Sequence, residues 1–299
     1  MNDEIYDKYR RAGKIAADAR DFGINLVKSG VSFLEVADKI ESRIVDNGAG
    51  LAFPVNISIN EIAAHYSPTH EDKHVFNKGD VVKIDVGAHI DGFIADTAIT
   101  VEVETNKYGD MIKASSDALE TAVGLIRADF DLSEIGRAVQ ETITSYGYKP
   151  VDNLTGHSLD QYVLHSGMSV PNVQELFGKA KPKVDDVLAI EPFATDGAGH
   201  VIQGAGSNIY LCSKSLKSRI IRDKKYMGLY NKISKEFRTL PFAERWSNKF
   251  FENNEIILKK LSFLGLLKHY PQLIDAKKGI VTQKEHTVII TEDVCEVTT

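Results

Sequence analysis

The chain has 299 residues, 43% hydrophobic and 26% charged, with a net charge of −6, the profile of an ordinary globular protein rather than a fibrous or disordered one. No stretch approaches the roughly 18 apolar residues of a membrane helix, and Met1-Asn2-Asp3-Glu4 lacks the basic and apolar regions of a secretion signal. Two cysteines, Cys212 and Cys295, exclude a disulfide framework and a thiolate zinc site, so the expected compartment is the cytoplasm.

The first predicted elements recur later in the chain. At a gapless offset of 99 residues, Lys14 matches Lys113, Asp18-Ala19 matches Asp117-Ala118, and Leu26-Val27-Lys28 matches Leu125-Ile126-Arg127. Glu35-Val36 then matches Glu134-Ile135, Ile40-Glu41 matches Val139-Gln140, and Gly48 matches Gly147. Each copy reads as a long helix, a turn, and a second amphipathic helix ending near glycine, with strand material after it. Two such halves predict a pseudo-symmetric α+β domain whose helices pack against a shared antiparallel sheet.

Between the copies, Asp91-Gly92 separates two strand-like runs and predicts a two-residue hairpin turn. That turn sets Val86 opposite Thr97, Ile84 opposite Ile99 and Val82 opposite Val101 on one face. The other face carries Lys83, Asp85 and Asp96, the aspartates being diagonal neighbours within roughly 7–8 Å. Two half-buried carboxylates so placed repel each other and call for a proton, a counter-charge or a cation.

Beyond the second copy, Gly156-His157-Ser158-Leu159 reads as a glycine-flanked loop, and Leu188-Ala189-Ile190-Glu191 ends an apolar strand on a glutamate. From about Lys214 the character changes to three predicted helices, Asp223 to Glu236, Phe242 to Asn253 and Glu255 to Lys268. Ser213 to His269 carries fourteen Lys and Arg against five Asp and Glu, about +9 against −15 elsewhere. Strands resume at Gly279 to Thr282, Glu285 to Thr291 and Val294 to Val297. The expected organisation is therefore a catalytic domain of residues 1–212 and 271–299 with an inserted helical subdomain, 213–270.

Taken singly, each polar residue has a bland reading, because a strand-end glutamate is usually a surface charge and a loop histidine is usually satisfied locally. Together, Asp85, Asp96, Glu191, Glu285 and His157 make a hard, oxygen-rich donor set suited to Mn, Fe, Co or Zn. Bridging carboxylates can hold two divalent ions about 3.5–4 Å apart.

In that order, Asp85, Asp96, His157, Glu191 and Glu285 resemble the five metal ligands of the methionine aminopeptidases, whose fold is the pitta-bread fold. The resemblance runs from about Tyr6 to Val297. It includes Ala63-Ala64-His65-Tyr66-Ser67-Pro68, Lys83-Ile84-Asp85-Val86-Gly87, Thr155-Gly156-His157-Ser158 and Glu285-His286-Thr287. The helical insertion after the fourth ligand resembles the type 2 branch, and the short start resembles its archaeal form.

The resemblance implies a curved antiparallel sheet under the paired helices, two divalent ions per chain, and a monomer. It also implies removal of the initiator methionine from methionyl peptides and nascent chains whose second residue is small, by hydroxide attack. Glu191, His65 and His165 are then catalytic, the two histidines also contact substrate, and Phe53, Ile209 and Tyr270 line the methionine pocket. Ile209 departs from members that carry histidine there. The basic insertion is either a solvated helical face or an attraction for ribosomal RNA. Two alternatives remain: a Xaa-Pro aminopeptidase or prolidase of the same fold, whose last motif tends to be richer in arginine, and a non-catalytic ribosome- or RNA-binding relative. Relatives of the latter kind lose metal ligands, whereas all five are present here.

Overall fold

Helix α1 (Asp3–Ile24) starts where the Asn2 side chain accepts a hydrogen bond from the Ile5 amide at 3.0 Å, and Asp3 and Glu4 complement the dipole in its first turn. Besides Tyr9 and Arg20, its buried residues are all small, Ala12, Gly13, Ala16, Ala19 and Gly23, so the backbone there lies close to what it covers. Helix α2 (Phe33–Asp46) follows, and a second pair, α3 (Gly109–Leu125) and α4 (Leu132–Ser145), repeats the arrangement. The boundaries of α2 and α4 coincide under the 99-residue offset. Their caps are Ser32 and Asp131, and Gly48 and Gly147 end the copies with φ of 81° and 83°. The computed structural model describes residues 1–175, 180–213, 224–251 and 254–299.

The first helix pair is followed by β1 (Gly50–Leu51), β2 (Asn56–Ile59), β3 (Ile62–Ala64), β4 (Val81–Ile90) and β5 (Phe93–Glu102). After the second pair come β6 (Lys149–Pro150), β7 (Thr155–Leu159), β8 (Ser169–Pro171), β9 (Val187–Ile190), β10 (Phe193–Thr195) and β11 (Val201–Cys212). Next are α5 (Lys224–Phe237), β12 (Phe242–Ala243), α6 (Glu244–Ser247), α7 (Asn254–Phe263) and β13 (Leu267–Asp275). The last elements are β14 (Val281–Gln283), β15 (His286–Ile290) and β16 (Cys295–Val297).

Among the described residues every strand pairing is antiparallel. β4 pairs with β5, β2 and β1, while β9 sits between β7 and β15. Each helix pair closes its own core. Val36, Ile40 and Ile44 pack on Ile57, Ile84 and Val86 in one half; Leu119, Ile135 and Val139 pack on Leu188, Ile190 and Val288 in the other. Each such side chain, fully buried, contributes about 1.5–3 kcal/mol relative to exposure. The two halves meet at β5, where the Asp96 amide donates to Thr287 Oγ1 at 2.7 Å and the Glu285 amide donates to the Ala98 carbonyl at 3.0 Å.

The segment between β11 and β13 has its own cluster, in which Leu229, Ile233, Phe242, Leu258 and Leu261 surround Tyr210. Here the structure departs from the expected three helices. The middle one is reduced to the four residues of α6, because Phe242 and Ala243 instead pair with Tyr210 and Ile209 of β11. Phe242 is fully buried, stacked 4.6 Å from the Phe237 ring, and that packing outweighs the helical pattern. Helix α7 stops at Phe263 rather than Lys268, since Gly265 takes a φ of 73° and Leu267 and Lys268 join Cys212 and Leu211 in the β11–β13 ladder. Asp223 and Asn253, ends of two expected helices, lie outside the described residues.

Candidate active site

The β4–β5 hairpin has the register that its turn chemistry predicts: Val86 faces Thr97, Ile84 faces Ile99, and Val82 faces Val101. Asp91 and Gly92 supply the two left-handed residues of the turn, at φ 51° and 89°. Asp85 therefore pairs with Ala98, and Asp96 with Gly87, placing the two carboxylates diagonally on one face. Asn56 of β2 lies directly across from Asp85. On the opposite face, Thr97 Oγ1 donates to the Glu285 carbonyl at 2.9 Å, tying the fifth candidate ligand's backbone to the hairpin.

The second half delivers the remaining donors. His157 lies on β7, opposite Ala189 of β9, rather than in a loop. Gly156 is required just before it, because a Cβ there would come within 2.3 Å of the Ala189 carbonyl oxygen. Glu191 follows the last residue of β9, and Glu285 precedes β15, whose His286 pairs with Ile190. His157 Nε2 lies 3.7 Å from Asp96 Oδ2 and 3.7 Å from Glu191 Oε1. Donor atoms of Asp96, His157 and Glu285, all buried, fall within 4.8 Å of one another.

One cavity, enclosing about 510 Å³ of empty space up to its mouth, gathers every predicted site residue. Asp85, Asp96, His157, Glu191 and Glu285 form its acidic side; Phe53, Ile209, Tyr270, His65 and His165 line it too. The His165 ring centroid is 4.3 Å from that of His157, and His65 meets the Tyr270 ring edge-on at 5.3 Å. Sequence reasoning missed Asn56, Leu164 and Pro241, which also line the cavity. It also gave no role to Gln283, whose Nε2 donates to Glu191 Oε2 at 3.2 Å and Glu285 Oε2 at 3.4 Å. Gln283 stands two residues before Glu285, a period-2 spacing that could have flagged it.

The electrostatics call for a proton or a cation among the carboxylates. Burial pushes the Asp85 carboxyl up to about 7. Asp96 is raised by burial and then by the charges of Asp85 and Glu191. Glu191 is raised by burial and by Asp85, and Glu285 by burial and by the other three carboxylates. His157 is driven the other way, to about 3, first by burial and then by His165. His65 falls to about 4 by burial, and His165 is lowered by burial. The imidazoles are thus neutral, as a ligand or hydrogen-bonding group must be. Among the described residues, Asp85 Oδ1 and Asp96 Oδ1 are buried without a hydrogen-bond partner. Four crowded carboxylates, a neutral imidazole and orphaned oxygens fit a divalent metal.

The family model for "Metallopeptidase family M24" matches residues 7–292. The chain belongs to metallopeptidase family M24. This M24 chain is 48% identical over 299 residues to the methionine aminopeptidase of Methanocaldococcus jannaschii, with 100% of both chains covered. Among solved structures, a thermophilic Arx1 superposes with a TM-score of 0.85 at 16% identity, covering 100% of this chain and 91% of that one. The methionine aminopeptidase of Thermotoga maritima does so with a TM-score of 0.72 at 21% identity, covering 100% and 98%. These two likenesses establish the pitta-bread fold. Membership of a metallopeptidase family implies a divalent metal, and Asp96, His157 and Glu285 form a buried group that could hold one.

Proposed function

We propose that the chain is a metalloaminopeptidase that removes N-terminal methionine from peptides and nascent chains whose second residue is small. The observation that carries this is the cavity itself, lined by the five candidate ligands and by Phe53, Ile209 and Tyr270. The last three suit an unbranched thioether. Metal held on the acidic side would suit a free α-amino group, which only a chain terminus offers.

Asp85, Asp96, His157, Glu191 and Glu285 would hold the metal, read as two divalent ions of the Mn, Fe, Co or Zn class. When bound, the ions supply Lewis acidity that polarises a peptide carbonyl and makes water a competent nucleophile near neutral pH. Glu191, aimed by Gln283, carries the water's proton to the leaving amine. His165 donates a hydrogen bond to the carbonyl oxygen as negative charge develops, and His65 holds the leaving peptide nitrogen or its neighbouring amide. Phe53, Ile209 and Tyr270 seat the methionine side chain.

The apolar cluster of α5, β12 and α7 supports reading 213–270 as an inserted subdomain and assigning the chain to the archaeal type 2 branch. A monomer in the cytoplasm suits access to emerging chains, and no helix among the described residues is long and apolar enough to cross a membrane. Incubated with Met-Ala-Ser and Ala-Pro-Ser peptides, the metal-loaded protein is expected to release methionine from the first and nothing from the second. Chelation should stop the reaction and metal add-back restore it. Cleavage only of the Xaa-Pro peptide, or unchanged turnover after chelation, would remove the reading.

The basic insertion supports an attraction to ribosomal RNA near nascent chains. Co-sedimentation with ribosomes should weaken steeply between 50 and about 200 mM salt. Salt-independent pelleting, or none at low salt, would end that idea. Arg245 takes no part in such a surface, because its side chain is only 5% exposed.

A further inference from the structure

A buried ion pair joins the inserted segment to the catalytic body at a point two residues from His65. Glu41 of α2 and Arg245 of α6 are hydrogen-bonded to each other through Oε1 and Nη2, with side chains 8% and 5% exposed. Glu41 also accepts from Trp246 Nε1 at 2.8 Å and from the Val55 amide at 3.1 Å. The other arm of the guanidinium, Nη1, donates to Ser67 Oγ at 2.8 Å and to the Pro68 carbonyl at 3.0 Å. Desolvating two charges costs about as much as their attraction returns, so such a pair is weak evidence for stability alone. Its better-attested use is to impose one arrangement on the parts it joins.

The part joined here is strained. His65 has a φ of 65°, a left-handed conformation that is costly for a non-glycine residue and persists only where neighbours over-determine it. The bonds that do so converge on the next residues. The Ile57 amide donates to the Tyr66 carbonyl at 2.7 Å. Ser67 Oγ, held by Arg245, donates to the Val55 carbonyl at 3.0 Å, next to the cavity-lining Asn56. The Ser67 amide donates to the Ser207 carbonyl at 3.1 Å, and its carbonyl accepts from Asn208 Nδ2 at 2.9 Å. Ser207 Oγ in turn donates to the Tyr270 carbonyl at 2.6 Å. One guanidinium thus stands behind both His65 and the Tyr270 ring that His65 abuts.

We infer that Arg245 is a positioning residue for the peptidase reaction: clamped by Glu41, it fixes Ser67 and so holds His65 in its strained, substrate-facing pose. The inserted helical segment then completes the active site rather than merely decorating it. The inference rests on the proposed role of His65.

A double-mutant cycle tests it, using the metal-loaded full chain and a Met-Ala-Ser peptide. Arg245→Met is expected to lower kcat about 10–100-fold, with KM changed less than about threefold and bound metal per chain unchanged. Arg245→Lys should recover part of the loss, and Arg245→Met combined with His65→Ala should be no slower than His65→Ala alone. If the losses multiply, or if Arg245→Met keeps full kcat, the positioning role is wrong. If Arg245→Met does not fold, Ser67→Ala replaces it, since it removes the same contact while leaving the Glu41–Arg245 pair. The same non-additivity with His65→Ala supports the role; multiplied losses, or none, overturn it. A His65→Ala protein with full turnover overturns the reading of His65 and this inference together, whereas an impaired His65→Ala with multiplied losses overturns only the inference.

Discussion

Replacing Asp96 by asparagine is expected to abolish metal binding and turnover together and, at the same time, to raise the melting temperature of the metal-free protein. The two effects have one cause. Asp96 is buried, and its ionised form is disfavoured by burial and by the charges of Asp85 and Glu191. An amide of the same shape removes that repulsion, so the empty site becomes easier to fold around. The same change removes a proposed ligand, one oxygen of which sits within 4.8 Å of donor atoms of His157 and Glu285. Losing the Lewis acid forfeits several kcal/mol of transition-state stabilisation, a fall in kcat/KM of about 10³-fold or more. Elemental analysis, peptide turnover and melting of the chelated protein read the three quantities. An Asp96→Asn protein that kept its metal, or one less stable than the parent when both are metal-free, would show that the carboxylates do not form one electrostatic unit.

As pH rises from about 4 to 8, the site carboxyls of the metal-free protein are also expected to withdraw stability. Below about 6.5 they are opposed by His65 and His157, whose lowered values favour the folded state as pH rises. Above that pH the loss stands alone, and the metal-loaded protein shows little of it. A carboxyl whose pKa is raised by folding binds more protons folded than unfolded, so stability falls with pH across the interval between the two values. For Asp85 that window opens near the ordinary value of 3.8 and closes near 7. The shift corresponds to on the order of 4 kcal/mol, or roughly 10 °C in Tm for a chain of this size. Asp96, Glu191 and Glu285 shift in the same direction, each by burial first. Cations among these groups favour their ionised forms and reverse the preference. Melting curves of chelated and Mn-loaded protein at pH 5, 6, 7 and 8 provide the comparison. A chelated protein with flat or rising stability between pH 6.5 and 8 would contradict the expectation.

The legible parts of this molecule share one property, locality. The Asp91-Gly92 turn requires two left-handed residues, and once it closes, the period-2 alternation of β4 and β5 settles which side chains face each other. The diagonal placement of Asp85 and Asp96 follows from those two facts. The 99-residue repeat was legible for a similar reason: the cap, the apolar stripe and the terminal glycine of α2 reappear in α4 within a single helix–turn–helix unit. The ligand set was harder. His157, Glu191 and Glu285 are ordinary residues by themselves, and family resemblance, not spacing, ranked them above other candidates.

What escaped prediction depended on distant partners. Phe242 and Ala243 read as helix but became a strand, because their aromatic neighbours and β11 offered better burial than a solvated helix. Arg245 counted toward a basic surface, yet it is buried against Glu41, some two hundred positions away. Gln283 received no role, because an amide two residues before a glutamate has none until Glu191 is brought within 3.2 Å.

By itself, then, the amino-acid order determined the helices of the repeat, the hairpin with its paired aspartates, and the inventory of donors. Those features rest on turn chemistry and on periodicities of 2 and 3.6, which act over a few residues. Only the tertiary structure decided that the donors share one cavity, that His65 is held in a left-handed pose, and that Arg245 turns inward. Each of those depends on groups far apart in the chain that burial forces to find partners, and no local pattern records which partners they find.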